Sequence, residues 1–210
     1  MATIHLLRHG QSQANTHPER IGGRTPHALL TADGEQQAQR AGEYMKYNQM
    51  KPSYAVVSPA LRTLRTASLA LGELDYHGKV KITSAVHEVS QGEVEGQLRE
   101  HVYTQKKLDA IARLGKDFSH PGGESVREVG ARMLAAVYAV DKQLQCNYQE
   151  HASGLIVTHE TAIKALIAHV KGYSQEWVFH TRLANASLTT LQIDGTNISF
   201  DTIGVPTSDE

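Results

Sequence analysis

The chain has 210 residues, with 21 basic against 22 acidic side chains and a formal net charge of −1. That balance, with no basic stripe, argues against a nucleic-acid partner, and no apolar run reaches the roughly 18 residues a membrane span needs. A single Cys146 cannot close an internal disulfide, and the start of the chain lacks a charged segment followed by an apolar one, so a reducing, cytoplasmic setting is expected.

The first strand is predicted at 2–7. Thr31 then caps a helix over 32–47, with Asp33 and Glu35 complementing its positive end. Pro52 precedes a strand at 54–57, followed by a helix over 59–72 with Leu61, Leu64, Ser68 and Leu71 on one face. A third strand falls at 80–83. Residues 98–114 read as one helix. His120-Pro121-Gly122-Gly123 breaks the chain, and Gly122 and Gly123 read as a turn rather than a phosphate cradle. Ser125 and Glu128 form a capping box that opens a helix carrying Val126, Val129, Met133, Val137, Val140 and Leu144 at helical spacing. A strand at 154–157, a helix at 161–170 and two strands at 187–193 and 198–203 complete the order, the last pair joined by an Asp194-Gly195 turn. Strands alternating with helices predict an α/β fold: a three-layer sandwich with a mostly parallel central sheet, an antiparallel edge strand and helices on both faces. Residues 1–206 read as a single domain and 207–210 as a frayed end.

Four strand-like runs each end at chemistry-bearing residues: the first at Arg8-His9, the second at Ser58 with Arg62 one helical turn on, the third at His87-Glu88, the fourth at Thr158-His159-Glu160. Parallel strands would bring all of them to one sheet edge, where open α/β sheets hold ligands. Arg8 and Arg62 are planar forks suited to phosphate oxygens, and a neutral imidazole is both nucleophile and base. The bland alternative places Arg8 and Arg62 in solvent and leaves His9 and His159 as core histidines; His5 is read that way in any case. Twelve histidines raise the question of metal, yet neither an HExxH motif nor a His/Cys pair at ligand spacing occurs, so no metal or cofactor is expected.

Leu7-Arg8-His9-Gly10-Gln11-Ser12, Asn15, residues 30–38, Ser58-Pro59-Ala60-Leu61-Arg62, Glu88-Val89-Ser90-Gln91-Gly92-Glu93, Pro121-Gly122-Gly123-Glu124-Ser125 and Val157-Thr158-His159 follow one another in an order that resembles the histidine phosphatase, or phosphoglycerate mutase-like, superfamily. The resemblance covers nearly the whole chain. It departs at Arg65, where Gln is commoner, at Val94, where Trp is usual, and at Glu160, where a small residue is usual. It implies that His9 attacks phosphorus and becomes phosphohistidine, with its other nitrogen donating to a backbone carbonyl. Arg8, Arg62 and a cationic His159 would hold the phosphoryl oxygens, Asn15 would donate its amide to them, and Glu88 would serve as general acid and base. Ser12 is divided between ligand contact and loop closure. Glu93 is a candidate to support an arginine and Glu95 a rim charge. Glu160 would oppose a dianion unless it turns away or pairs with an arginine.

Hydrolysis of a small-molecule phosphomonoester is the expected activity, with turnover of p-nitrophenyl phosphate at mildly acidic pH. The alternatives are a cofactor-dependent phosphoglycerate mutase and a non-enzymatic phospholigand-binding protein. Two features weigh against the mutase: residues 89–158 form a short span for a mutase cover, and they lack an Arg-Arg pair. Specificity is expected in 17–27 and 89–121. There Arg20, Arg24, His17 and His27 read either as a second anion site or as solvated loop charges. A homodimer through a sheet edge is compatible with the sequence.

Overall fold

A computed structural model describes residues 1–148 and 152–207. Six strands form one sheet: β1 (Ala2–Arg8), β2 (Pro52–Val57), β3 (Lys79–Ile82), β4 (Ser153–Thr158), β5 (Leu188–Asp194) and β6 (Asn197–Val205). Their spatial order is β3-β2-β4-β1-β5-β6. The first four run parallel, β5 pairs antiparallel with β1, and β6 pairs antiparallel with β5 at the edge. The α/β class and the mostly parallel sheet agree with the sequence reading.

Period-two alternation divides the core between two faces. Ile4, Leu6, Val56 and Ile156 point to one side, against α5 (Val126–Asn147) and α6 (Glu160–Lys171). Leu7, Ala55, Val57, Leu155 and Val157 point to the other, against α1 (Ala32–Tyr47) and α2 (Leu61–Glu73). Each fully buried Leu or Ile there contributes about 1.5–3 kcal/mol. The predicted caps hold: Thr31 accepts from the Gly34 N–H, and Ser125 and Glu128 bond reciprocally.

Three local expectations need correction. The inward face of α2 is Thr63, Thr66, Ala67, Ala70 and Leu71, while Leu61 is exposed. Small residues let α2 approach α1 closely; a Cβ on Gly42 would lie 2.6 Å from the Ala70 carbonyl oxygen. The same rotation points Arg62 inward. The single helix expected over 98–114 is two, α3 (Arg99–Val102) and α4 (Gln105–Leu114), because Thr104 takes an extended backbone and starts a new helix. A short helix α7 (Gln175–His180), capped by Ser174, was not foreseen. Thr207, expected in the frayed end, is buried and donates to the Ala186 carbonyl (2.9 Å); residues 208–210 lie outside the described residues.

Candidate active site

Parallel pairing in register, with Arg8 opposite Thr158, brings the carboxyl ends of β1 and β4 together, and β2 ends beside them at Ser58. The turn after β1 is fixed by backbone packed on backbone. A Cβ at Gly10 would lie 2.2 Å from the Gly34 oxygen, and one at Gly34 would lie 1.9 Å from the Gln11 oxygen. Only glycine permits this approach. The His9 carbonyl is held in turn by the Ala186 N–H (3.2 Å) and Asn185 Nδ2 (3.2 Å).

His9 and His159 meet edge to face with centroids 5.2 Å apart, both buried. Their tautomers follow from their partners. His9 Nδ1 faces the Gly10 carbonyl at 2.7 Å and must donate to it, as the sequence led us to expect, so Nε2 keeps its lone pair. Arg62 Nε, which can only donate, sits 3.2 Å from that Nε2. Arg62 also donates to His159 Nδ1 (3.1 Å), which leaves the His159 proton on Nε2, donating to Ser58 Oγ (2.7 Å). Burial, then Arg62, pushes both rings well below the ordinary histidine range. His9 is therefore a neutral ring whose Nε2 carries no proton. His159 is neutral too, and the cationic form expected for it requires negative charge close by. The remaining Arg62 donors bind the carbonyls of Gly23, Arg24 and Thr25, so the fork is locked in place.

Glu160 neither turns to solvent nor stands alone. Its carboxylate accepts from Arg8 (3.0 Å) and from Lys164 (3.0 Å). Arg8 also donates to the Leu183 carbonyl, and Lys164 to the Thr181 carbonyl (2.9 Å). Burial alone would push the Glu160 carboxyl up, but Arg8 and Lys164 together hold it below the usual carboxylate range. Its contribution to stability is therefore complete above that range and is lost on acidification below it. Glu160→Gln is expected to free Arg8 and tighten orthophosphate inhibition about three- to tenfold, at the cost of a lower Tm. Inhibition constants and thermal melts read both; unchanged phosphate inhibition would refute the charge-compensating role.

Glu88 is buried, and its carboxyl is cradled by backbone N–H groups: Val89 (2.8 Å), Ala162 (3.1 Å) and Thr161 (3.3 Å), the last two from the first turn of α6. Burial outweighs these contacts and the nearby Arg62, and pushes the carboxyl up. Such a group holds a proton longer than a solvated glutamate does, which suits a general acid. The loop carrying it is braced by Arg132 of α5, which donates to the carbonyls of His87 (2.7 Å) and Glu88 (3.0 Å) and pairs with Glu124. His87 stacks on His159 with centroids 5.5 Å apart, and burial, then Arg24 and Arg62, pushes it down to about 4, so it is neutral.

These strand ends form the floor of a cavity of about 1040 Å³ lined by Arg8, His9, Arg62 and Glu88 among others. A family model for the histidine phosphatase superfamily (branch 1) matches residues 4–205. The chain belongs to this superfamily. It is 31% identical to a 2,3-bisphosphoglycerate-dependent phosphoglycerate mutase of Xanthobacter autotrophicus over 181 residues, 85% of each chain. The fold is also that of a mycobacterial glucosyl-3-phosphoglycerate phosphatase bound to VO3 (TM-score 0.81, 24% identity, 97% of this chain and 98% of that one). It is likewise that of a phosphoserine phosphatase of Entamoeba histolytica (TM-score 0.79, 22% identity, 97% of each). A superfamily of phosphatases and mutases thus accounts for the sequence and the fold.

Other expectations for this member of the superfamily meet mixed outcomes. Ser12 is fully buried and donates to Asn15 Oδ1 (3.0 Å), which also accepts the Ser12 N–H (2.9 Å). That is loop closure; both residues still line the cavity, and Asn15 Nδ2 remains the candidate donor. Of the four loop cations, His17 and Arg20 line the cavity, whereas Arg24 pairs with Glu124 (3.2 Å) and His27 is exposed. Glu95 is not a rim charge: it accepts from the N–H groups of Arg24 (3.2 Å) and Gln91 (3.0 Å), holding the loop whose carbonyls grip Arg62. Glu93 forms no ion pair among the described residues. His5 bonds Thr190 (3.0 Å) inside the sheet, as expected. Residues 120–123 form the expected turn, with the Gly123 N–H on the His120 carbonyl (2.8 Å). Lys164, Arg132 and the 183–187 loop were not anticipated. A lysine and an arginine within largely apolar helices were the available signals for the first two.

Proposed function

We propose that this histidine phosphatase hydrolyses small-molecule phosphomonoesters through a phosphohistidine on His9, in the reducing cytoplasm that its lone cysteine suits. The observation that carries this reading is the His9 tautomer: Nδ1–H is spent on Gly10, and Nε2 is left with a lone pair beside Arg62. Nε2 attacks phosphorus as the ester P–O bond breaks, and Glu88 gives its proton to the departing oxygen. Arg8, Arg62 and His159, charged once the phosphoryl group is beside it, stabilise the spread negative charge. Glu88, now a carboxylate, takes a proton from water as the water oxygen attacks phosphorus. Orthophosphate leaves and His9 Nε2 regains its lone pair.

A phosphoglycerate mutase is the second reading, favoured by the names of curated relatives at 29–31% identity. Length does not separate the two, contrary to the sequence argument: one such mutase, from Bartonella henselae, aligns over 97% of this chain and 98% of its own. Hydrolysis is favoured by the lack of an Arg-Arg pair in 89–158 and by Glu160, which offsets Arg8 and Lys164 where a trianionic substrate would need net positive charge. The products decide. Given 3-phosphoglycerate with 2,3-bisphosphoglycerate, the enzyme is expected to release orthophosphate and to form 2-phosphoglycerate at less than about one-tenth of that rate. Dominant 2-phosphoglycerate in the phosphorus NMR spectrum would establish the mutase instead.

A further inference from the structure

Beside the phosphate cavity lies a second cleft of about 640 Å³ with mostly apolar walls. Leu108 and Ile111 of α4, Phe118, and Phe179 of α7 line it, and the amphipathic α4 leaves no residue fully buried. Val89, Gln91, Tyr103, Thr161 and Phe179 line both spaces, so the two are continuous. Two of these, Val89 and Thr161, are among the three residues whose N–H groups cradle the Glu88 carboxyl. Glu88 itself lines the phosphate cavity, so the mouth of the cleft opens beside the carboxyl proposed to protonate the leaving oxygen.

Resting on the hydrolase reading, we infer that the cleft receives the leaving group of the substrate, and that this group is a flat, aromatic or fused-ring body. The apolar walls, Leu108, Ile111, Phe118 and Phe179, fit the ring. A three-carbon acid phosphate would leave those walls uncovered.

Calorimetry with non-hydrolysable phosphonates separates this inference from the reaction. 2-Naphthylmethylphosphonate is expected to bind about tenfold or more tightly than methylphosphonate. Ala112→Phe, on the exposed side of α4 at the cleft wall, should abolish that difference and leave methylphosphonate binding unchanged. Equal binding of the two phosphonates, or an advantage that survives Ala112→Phe, would overturn the inference. Release of orthophosphate from p-nitrophenyl phosphate is scored separately: its absence would remove the hydrolase reading and leave the binding result to stand or fall alone.

Discussion

Replacing His9 with Ala is expected to lower turnover of p-nitrophenyl phosphate by about a thousandfold or more, because it removes the nitrogen proposed to attack phosphorus. His159 cannot substitute. Its Nδ1 accepts from Arg62 and its Nε2–H is spent on Ser58, so it lies behind the guanidinium. The loss should fall on kcat rather than on phosphate affinity, since Arg8 and Arg62 keep their own anchors to Leu183, Glu160 and the 23–25 carbonyls. Added imidazole should restore a measurable fraction by occupying the vacated space. Turnover within about tenfold of the parent would show that phosphorus is attacked directly by water and that His9 only positions it.

Glu88→Gln carries the second large effect, and its size should depend on the leaving group. An alkoxide must be protonated as it departs, so glycerol phosphate turnover should fall about 100- to 10,000-fold; p-nitrophenolate leaves unaided, and its loss should stay near tenfold. The pH profile should change with it. Burial raises the Glu88 carboxyl above the ordinary glutamate range, so the acid form persists into mildly acidic solution. The rate with alkyl phosphates then falls as pH climbs through the raised value, and this limb should vanish in the variant. For stability the sign is the same: protonated Glu88 favours the fold, and its ionisation works against it as pH rises. An identical loss for both substrates, with the pH limb retained, would assign the proton to another group.

Much of this site was legible in the primary structure because β-strands convert sequence position into spatial position. Runs ending at Arg8-His9, Ser58 and His159 had to converge once their strands were parallel, and they do. That His9 would donate its other ring nitrogen to a backbone carbonyl was likewise accessible, and the acceptor is the Gly10 carbonyl. What escaped reading lies in contacts between distant segments. Nothing local shows that Glu160 faces Arg8 rather than the phosphate, or that Arg132, set in an apolar helix, holds the Glu88 loop by its carbonyls. The rotation of α2 escaped for a different reason: close packing at Gly42 favours its small residues over its leucines. The cleft between Leu108 and Ile111 of α4 and Phe179 of α7 escaped because these residues, far apart in sequence, meet only through the path of the chain between the two helices.

The central claim is a covalent bond between phosphorus and His9 Nε2. Rapid mixing with a phosphomonoester, quenching in alkali and phosphorus NMR or peptide mass mapping test it directly. The account predicts an alkali-stable, acid-labile phosphoryl group on Nε2 of His9, formed at least as fast as steady-state turnover. Full turnover with no such adduct at any quench time, or the label on another side chain, would contradict it.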